Sequence, residues 1–316
     1  MRCRNNNSHA PLPDSILMQT SSLRRQLCLL AIALTMTHTA TEAADNSSPA
    51  AALVNAQRPL IIGHRGYPQF APENTLPSFK LALEAGADMI ELDYHHSADG
   101  ELVVIHDFTL DRTTDATNRW GGQKLNVNAR SYAELKTLDA GSWFKPNYAA
   151  TGLPLLSEVL AFVHQGGGVT LIERKAGNAT NCVSLLREMQ LVNYVVVQSF
   201  DWNYLKSFHE LEPQQILGAL GPPSRLPDGS KPPEGDKTLN EQWLDWLKPT
   251  GVSAVVWNDQ VTAEAVRLAH QRGLKVWVYT INDPAAANKL LDLGVDGLIT
   301  NNTGLLWKTL ALRPAK

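Results

Sequence analysis

Eight short apolar runs, each followed by an amphipathic segment, constrain this chain more than any other feature. The runs are 60–64, 89–94, 169–174, 194–199, 215–220, 253–257, 274–280 and 296–300. Their length and aliphatic content are those of strands covered on both faces, as in a parallel sheet. Between them lie helix-period segments: Thr75–Ala85, Leu156–His164, Thr180–Gln190, Trp202–Leu211, Leu239–Leu247, Thr262–Arg272, Pro284–Leu293 and one from Thr303. Helix punctuation agrees, with Asp201 and Asp283-Pro284 at starts and Gly86, Gly273 and Gly294 after ends. Eight strand-then-helix units predict an α/β chain folded as a (β/α)8 TIM barrel. A doubly wound open sheet uses the same alternation and is the other fold the pattern allows.

One region departs from a bare barrel. Asp99-Gly100 follows the second run and precedes Glu101–His106, which is a hairpin signal rather than a helical crossover. We expect an antiparallel excursion there, within a small insertion after the second strand, about 97–154, on the catalytic face. A second loop, Gly221–Lys237, is dense in Pro and Gly and reads as a lid or a solvated surface loop.

The strand ends carry the chemistry. Leu60–Ile62 runs into Gly63, His64, Arg65 and Gly66; Met89 to Asp93 contains Glu91 and Asp93; Leu102 to Asp107 ends in His106; Val169 to Lys175 ends in Glu173, Arg174 and Lys175. Side chains two apart on a strand face one way, so Glu91 pairs with Asp93 and Glu173 with Lys175. Neighbouring barrel strands bring the three carboxylates to one mouth, an oxygen-only set suited to Mg²⁺ or Ca²⁺ rather than Zn²⁺. His64 and His106 are the proton-transfer candidates, since an imidazole titrates near neutrality. Arg65 and Lys175 supply fixed positive charge for a phosphodiester. His95 and His96, beside the hairpin, read as surface or supporting residues, and Arg174 should point to the surrounding helices and need a partner there.

Residues 1–44 read as a secretory signal peptide: Leu23-Arg-Arg25, an apolar core from Leu27 to Met36 too short to span a bilayer, and small residues near Thr41–Ala43. Met18 is an alternative start, and an uncleaved anchor is disfavoured by the short core. Residues 45–57, rich in Ser, Ala and Asn, read as a linker, leaving 58–316 as the catalytic domain with no stable membrane span after cleavage. Cys3 and Cys28 fall in the leader, so Cys182 stays unpaired and reads as a buried small hydrophobe on a helix. A net charge of −3 argues against a nucleic-acid face.

Several motifs in order resemble the glycerophosphodiester phosphodiesterase family, in its secreted bacterial type. They are His64-Arg-Gly66 with Pro72-Glu-Asn-Thr75, Gly86 to Asp93, Asp99-Gly100, Val104-Ile-His-Asp107 and Arg112-Thr-Thr114. Leu138 to Phe144, Pro154 to Glu158, Glu173 with Lys175, Gln198-Ser-Phe200 and Gly294 to Thr300 continue the likeness to the C-terminus. The resemblance implies metal-dependent hydrolysis of a small-molecule glycerophosphodiester to glycerol 3-phosphate and an alcohol. It implies one divalent cation, Ca²⁺ or Mg²⁺, on Glu91, Asp93 and Glu173, acid–base roles for His64 and His106, and phosphate contacts from Arg65 and Lys175. The sequence leaves open which histidine is the acid, and whether water or the glycerol 2-hydroxyl attacks first.

Three departures stand out: Tyr94-His-His96 after the acidic pair, Arg174 between Glu173 and Lys175, and Asn301-Asn302 after the last strand where Asp or Pro is more usual. The first and last bear on substrate preference. Two other readings share the same residues. One is lysophospholipase D activity, with Trp120, Trp143, Phe144 and the loop Gly221–Lys237 forming an apolar groove; the other is an inactive glycerophosphodiester-binding protein. With the leader, the leading reading is a secreted, periplasmic enzyme.

Overall fold

Buried on both faces along its whole length, Leu60–Gly63 forms β1. The computed structural model describes residues 48–235 and 237–313; the leader with Met18, Cys3 and Cys28, and the first residues of the expected linker, lie outside them. The remaining strands are β2 (Met89–His96), β3 (Leu102–Val104), β4 (Val169–Arg174), β5 (Val195–Ser199), β6 (Ile216–Gly221), β7 (Ala254–Trp257), β8 (Lys275–Val278) and β9 (Gly297–Thr300). The helices are α1 (Pro49–Val54), α2 (Leu76–Glu84), α3 (Ala116–Trp120), α4 (Tyr132–Leu135), α5 (Leu156–Gln165), α6 (Ala179–Glu188), α7 (Trp202–Leu211), α8 (Glu241–Trp246), α9 (Ala263–Gln271), α10 (Pro284–Leu293) and α11 (Thr303–Ala311).

Eight strands pair in parallel, and β1 pairs with both β2 and β9. That double pairing closes the ring and excludes the open sheet: the chain is a TIM barrel. Strand alternation builds two cores from one sequence. Leu60, Ile62, Met89, Val169, Leu171, Val196, Val256, Trp277 and Ile299 point into the barrel. Ile61, Ile90, Leu92, Ile172 and Val197 point outward against Phe79, Leu160, Leu186 and Phe208 of the helices. Fully burying each such side chain contributes ~1.5–3 kcal/mol.

β3 runs antiparallel to β2, with His96 opposite Leu102, so the excursion is present. It is shorter than 101–106: one further rung, Ile105 N to the Asp93 carbonyl, continues the register, and His106 beyond it lines the cavity at the barrel mouth. The hairpin closes on Gly100 at φ 88°, a conformation that favours glycine. Between β2 and α5, Val103, Ile105, Leu110, Val127, Leu135, Leu138 and Leu153 form a separate small core.

The segment read as a linker is partly structured. Ser48 caps α1 and Pro49 takes its first position. Ala50 and Val54 are buried with the inward side chains at the N-terminal ends of the strands. The helix therefore plugs the barrel floor. Its Ala-rich sequence carries only two buried positions, too few to give an apolar stripe.

Candidate active site

The C-terminal ends of β1, β2 and β4 converge as strand adjacency requires. Asp93 stands opposite Glu173 in the β2–β4 register. Glu91, Asp93 and Glu173 are all buried, and one oxygen from each lies within 4.8 Å of the others. Burial first, and then the charges of Asp93 and Glu173, push the Glu91 carboxyl well above the usual range. Glu173 is pushed up to about 7, again by burial and then by Asp93. Burial also pushes Asp93 up, but Lys175 and Arg65 outweigh it and hold that carboxyl below the usual range. Lys175 Nζ lies 2.5 Å from Glu173 Oε1 and 3.1 Å from Asp93 Oδ1. One ammonium and one guanidinium thus face three carboxylates.

His64 follows β1 directly, its backbone N donating to the Thr300 carbonyl at 2.9 Å. Its Nδ1 sits 2.7 Å from Asn301 Oδ1. Because an amide oxygen only accepts, Nδ1 carries the proton and Nε2 keeps a lone pair. Burial, and then Arg65, lower this imidazole to about 4. His106 is held the same way, with Nδ1 2.7 Å from Asp107 Oδ1. Burial lowers His106 too, with Asp93 and Asp107 opposing the shift. Both rings therefore present Nε2 for proton transfer.

Arg65 occupies the left-handed region at φ 53°, which aims its backbone N at Glu91 Oε2, 2.8 Å away. Its guanidinium reaches Glu73 Oε1 at 2.9 Å and approaches Asp93 Oδ2 at 3.4 Å. Glu73 is shared. Arg112 binds it through Nη1 at 2.9 Å and Nη2 at 2.7 Å, and binds Asp107 through Nε at 2.7 Å and Nη2 at 2.9 Å. A continuous chain of charged contacts, His106–Asp107–Arg112–Glu73–Arg65, joins the insertion to the barrel.

The sequence matches the glycerophosphoryl diester phosphodiesterase family over residues 64–305. A glycerophosphodiester phosphodiesterase of Bacillus subtilis is 31% identical over 275 residues, covering 81% of this chain and 88% of its own. The chain belongs to the glycerophosphoryl diester phosphodiesterase family. A Caldanaerobacter subterraneus member is 30% identical over 249 residues, covering 77% of this chain and 94% of its own. Among solved structures, an Oleispira antarctica phosphodiesterase in complex with the product sn-glycerol-3-phosphate superposes with a TM-score of 0.69. It is 26% identical, covering 80% of this chain and 97% of its own. A glycerophosphodiester phosphodiesterase from Agrobacterium tumefaciens gives a TM-score of 0.63 at 26% identity, covering 80% of this chain and all of its own.

The divalent cation implied for a family member fits the residues present. Three oxygen-donor side chains converge within 4.8 Å, and beside them the buried Gln198 Oε1 has no hydrogen-bond partner. The set holds no sulfur and no imidazole, so it suits a hard cation.

The structure brings all seven predicted site residues together, and six of them line one cavity of about 200 Å³: His64, Arg65, Glu91, His106, Glu173 and Lys175. Asp93 lies beneath, tied to Lys175 and to Asn74, whose Nδ2 donates to Asp93 Oδ2 at 2.9 Å. A second cavity of about 440 Å³ shares His106, Glu173, Lys175 and Phe200 with the first.

Asn74, Glu73, Arg112, Asp107, Gln198 and Asn301 support the site without having been singled out for it. Most sit inside motifs that carried the family likeness, which was the available signal. His95 is buried, with Nε2 3.0 Å from the His106 carbonyl, so it supports the loop bearing His106. Arg174 turns outward and finds Asp201 at 3.2 Å and the ring of Tyr204 at 4.6 Å. Of the walls expected for an apolar groove, Ser224 of the loop Gly221–Lys237 lines the larger cavity, and Trp120, Trp143 and Phe144 do not. Trp120 packs on the insertion's own core, Trp143 donates to the Ala140 carbonyl, and neither they nor Phe144 line either cavity.

Proposed function

We propose that this protein hydrolyses glycerophosphodiesters to glycerol 3-phosphate and an alcohol. What carries the reading is one cavity lined by two imidazoles, a guanidinium, an ammonium and buried carboxylates. A cation on Glu91, Asp93 and Glu173 would act as a Lewis acid on a phosphoryl oxygen. Arg65 and Lys175 neutralise the remaining phosphate charge, their own charges fixed by Glu73 and by the carboxylate cluster. His64 Nε2 takes a proton from the attacking oxygen as that oxygen bonds to phosphorus; if it is water, glycerol 3-phosphate forms directly, and if it is the glycerol 2-hydroxyl, water then opens the cyclic phosphate to the same product. The P–O bond to the alcohol breaks, and that oxygen receives the Nε2 proton of His106, which acts from its imidazolium form and keeps Nδ1–H on Asp107. The order is supported by position, since His106 alone of the pair lines both cavities. The product carried by the Oleispira neighbour is in keeping with this chemistry.

Export is part of the proposal, resting on the N-terminal basic, apolar and small-residue succession. No helix among the described residues is long and apolar enough to cross a membrane.

The deciding experiment measures glycerol 3-phosphate release from glycerophosphocholine with chelator, and with Ca²⁺ or Mg²⁺ restored. Chelator-sensitive release that His64→Ala and Glu91→Ala abolish is expected. Full release after chelation would overturn the cation, and binding without release would favour a binding protein.

A further inference from the structure

The two cavities meet at the reacting groups, and their walls differ. Resting on the hydrolytic reading above, we propose that the larger, outer chamber receives the departing alcohol and selects one that bears an ammonium group. The inner chamber, of about 200 Å³, is large enough for the three-carbon glycerol half and contains His64. The outer, of about 440 Å³, contains His106 without His64, so an alcohol oxygen protonated by His106 leaves into it.

Its wall presents two aromatic rings, Phe108 and Phe200. Phe108 is 64% exposed on the rim, held edge-on by the His95 ring with centroids 4.8 Å apart. Phe200 is braced edge-on by Tyr279 at 5.9 Å. A large exposed ring fixed at a cavity mouth is a surface for a cation, which is drawn to the face of an aromatic ring.

The charges of the wall leave the choice to the rings. Asp107 and Asp201 line the chamber with Arg174 and Lys175, and each is already paired, Asp107 with Arg112 and His106 and Asp201 with Arg174. The Arg174 guanidinium is spent on Asp201, the Gly177 carbonyl and the Tyr204 ring. Lys175 is turned down onto Asp93 and Glu173. A sugar-like polyol finds little here: Ser199 and Ser224 already donate their hydroxyls to the carbonyls of Arg174 and Phe200. An anionic alcohol meets wall cations that are already engaged.

The test compares kcat/KM for glycerophosphocholine, glycerophosphoethanolamine and glycerophosphoinositol in the wild type and in Phe108→Leu, which keeps apolar bulk and removes the π face. Inhibition by free choline and by inositol is measured alongside. Both ammonium diesters should be preferred over the inositol diester, choline should inhibit where inositol does not, and Phe108→Leu should lower the choline-to-inositol ratio by ~2–5-fold. Turnover of all three with equal kcat/KM, or with a ratio unmoved by the substitution, would overturn the chamber assignment and leave diester hydrolysis standing. If none is turned over, the hydrolytic reading is what fails. Calorimetry with choline then decides the chamber: binding weakened by Phe108→Leu supports it, and no binding overturns it.

Discussion

His64 and Asn301, 237 positions apart in sequence, meet across the barrel seam with 2.7 Å between Nδ1 and Oδ1. The contact fixes the tautomer of the ring without adding charge. A neutral amide leaves burial and Arg65 to keep the imidazole unprotonated to about 4. Activity at saturating cation should therefore persist well below pH 6. Asn301→Asp places a carboxylate on Nδ1, raises the imidazole, and should move the acid limb of the kcat/KM profile upward. Asn301→Ala should lower kcat ~10-fold by releasing the ring, less than the ~10²–10⁴-fold worth of the positioned acid or base itself. A profile unmoved by either change would show that His64 is not the base.

Cation affinity should depend on pH through the carboxylates. Without a cation, Glu173 is pushed up to about 7 by burial and Asp93, so a proton competes for the site below that pH. A bound cation displaces the proton and is held less well as pH falls. Titrating chelator-stripped protein with Ca²⁺ or Mg²⁺ should show roughly tenfold weaker binding at pH 6 than at pH 8, with proton release on binding. The raised pKa of Glu91 acts in the same direction. Equal affinity at both pH values would contradict the assignment of Glu173 as a ligand.

Arg112 is fully engaged by Glu73 and Asp107. Arg112→Gln leaves two carboxylates without their shared cation and frees Asp107 from one side of its contact with His106. We expect kcat to drop ~10-fold, less than the ~10²–10⁴-fold lost when an acid or base is removed outright, with a smaller change in KM. Arg112→Lys should restore little, because an ammonium does not reproduce the planar fork. Steady-state kinetics on both variants checks this.

Two glycines separate strain from collision. Gly66 and Gly100 both lie at φ 88°, but a Cβ on Gly66 meets the Ser78 carbonyl carbon at 2.7 Å, whereas nothing lies within 4 Å of one on Gly100. Gly100→Ala should lose ~1–3 kcal/mol from backbone strain. Gly66→Ala should lose more in the same denaturant titration. It should also lower activity, since Ser78 Oγ bridges the Arg65 carbonyl and Tyr67 N.

The carboxylate cluster was legible in the sequence because two rules fix it: side chains two apart on a strand share a face, and successive barrel strands adjoin. Glu91, Asp93 and Glu173 need nothing more. The supporting shell obeys no such rule. Asn301 reaches His64 only because the ring closes β9 onto β1, and Arg112 reaches Glu73 across 39 residues through the fold of the insertion. The Asn301-Asn302 departure was read for substrate preference, and its contacts could not be read from sequence: Asn301 Oδ1 meets His64 Nδ1 and Asn302 caps α11. Trp120, Trp143 and Phe144 left two readings open, a groove or the insertion's own core, since an apolar residue in an insertion signals burial without saying against what; Trp120 packs on that core. α1 was hidden by its composition.

That short helix closes the floor of the barrel, at the end opposite the mouth. A carrier, bead or surface joined through the chain ahead of Ser48 would grip the enzyme by its closed end. The handle lies far from the working edge, so N-terminal immobilisation should leave the route for diester and alcohol open to solution.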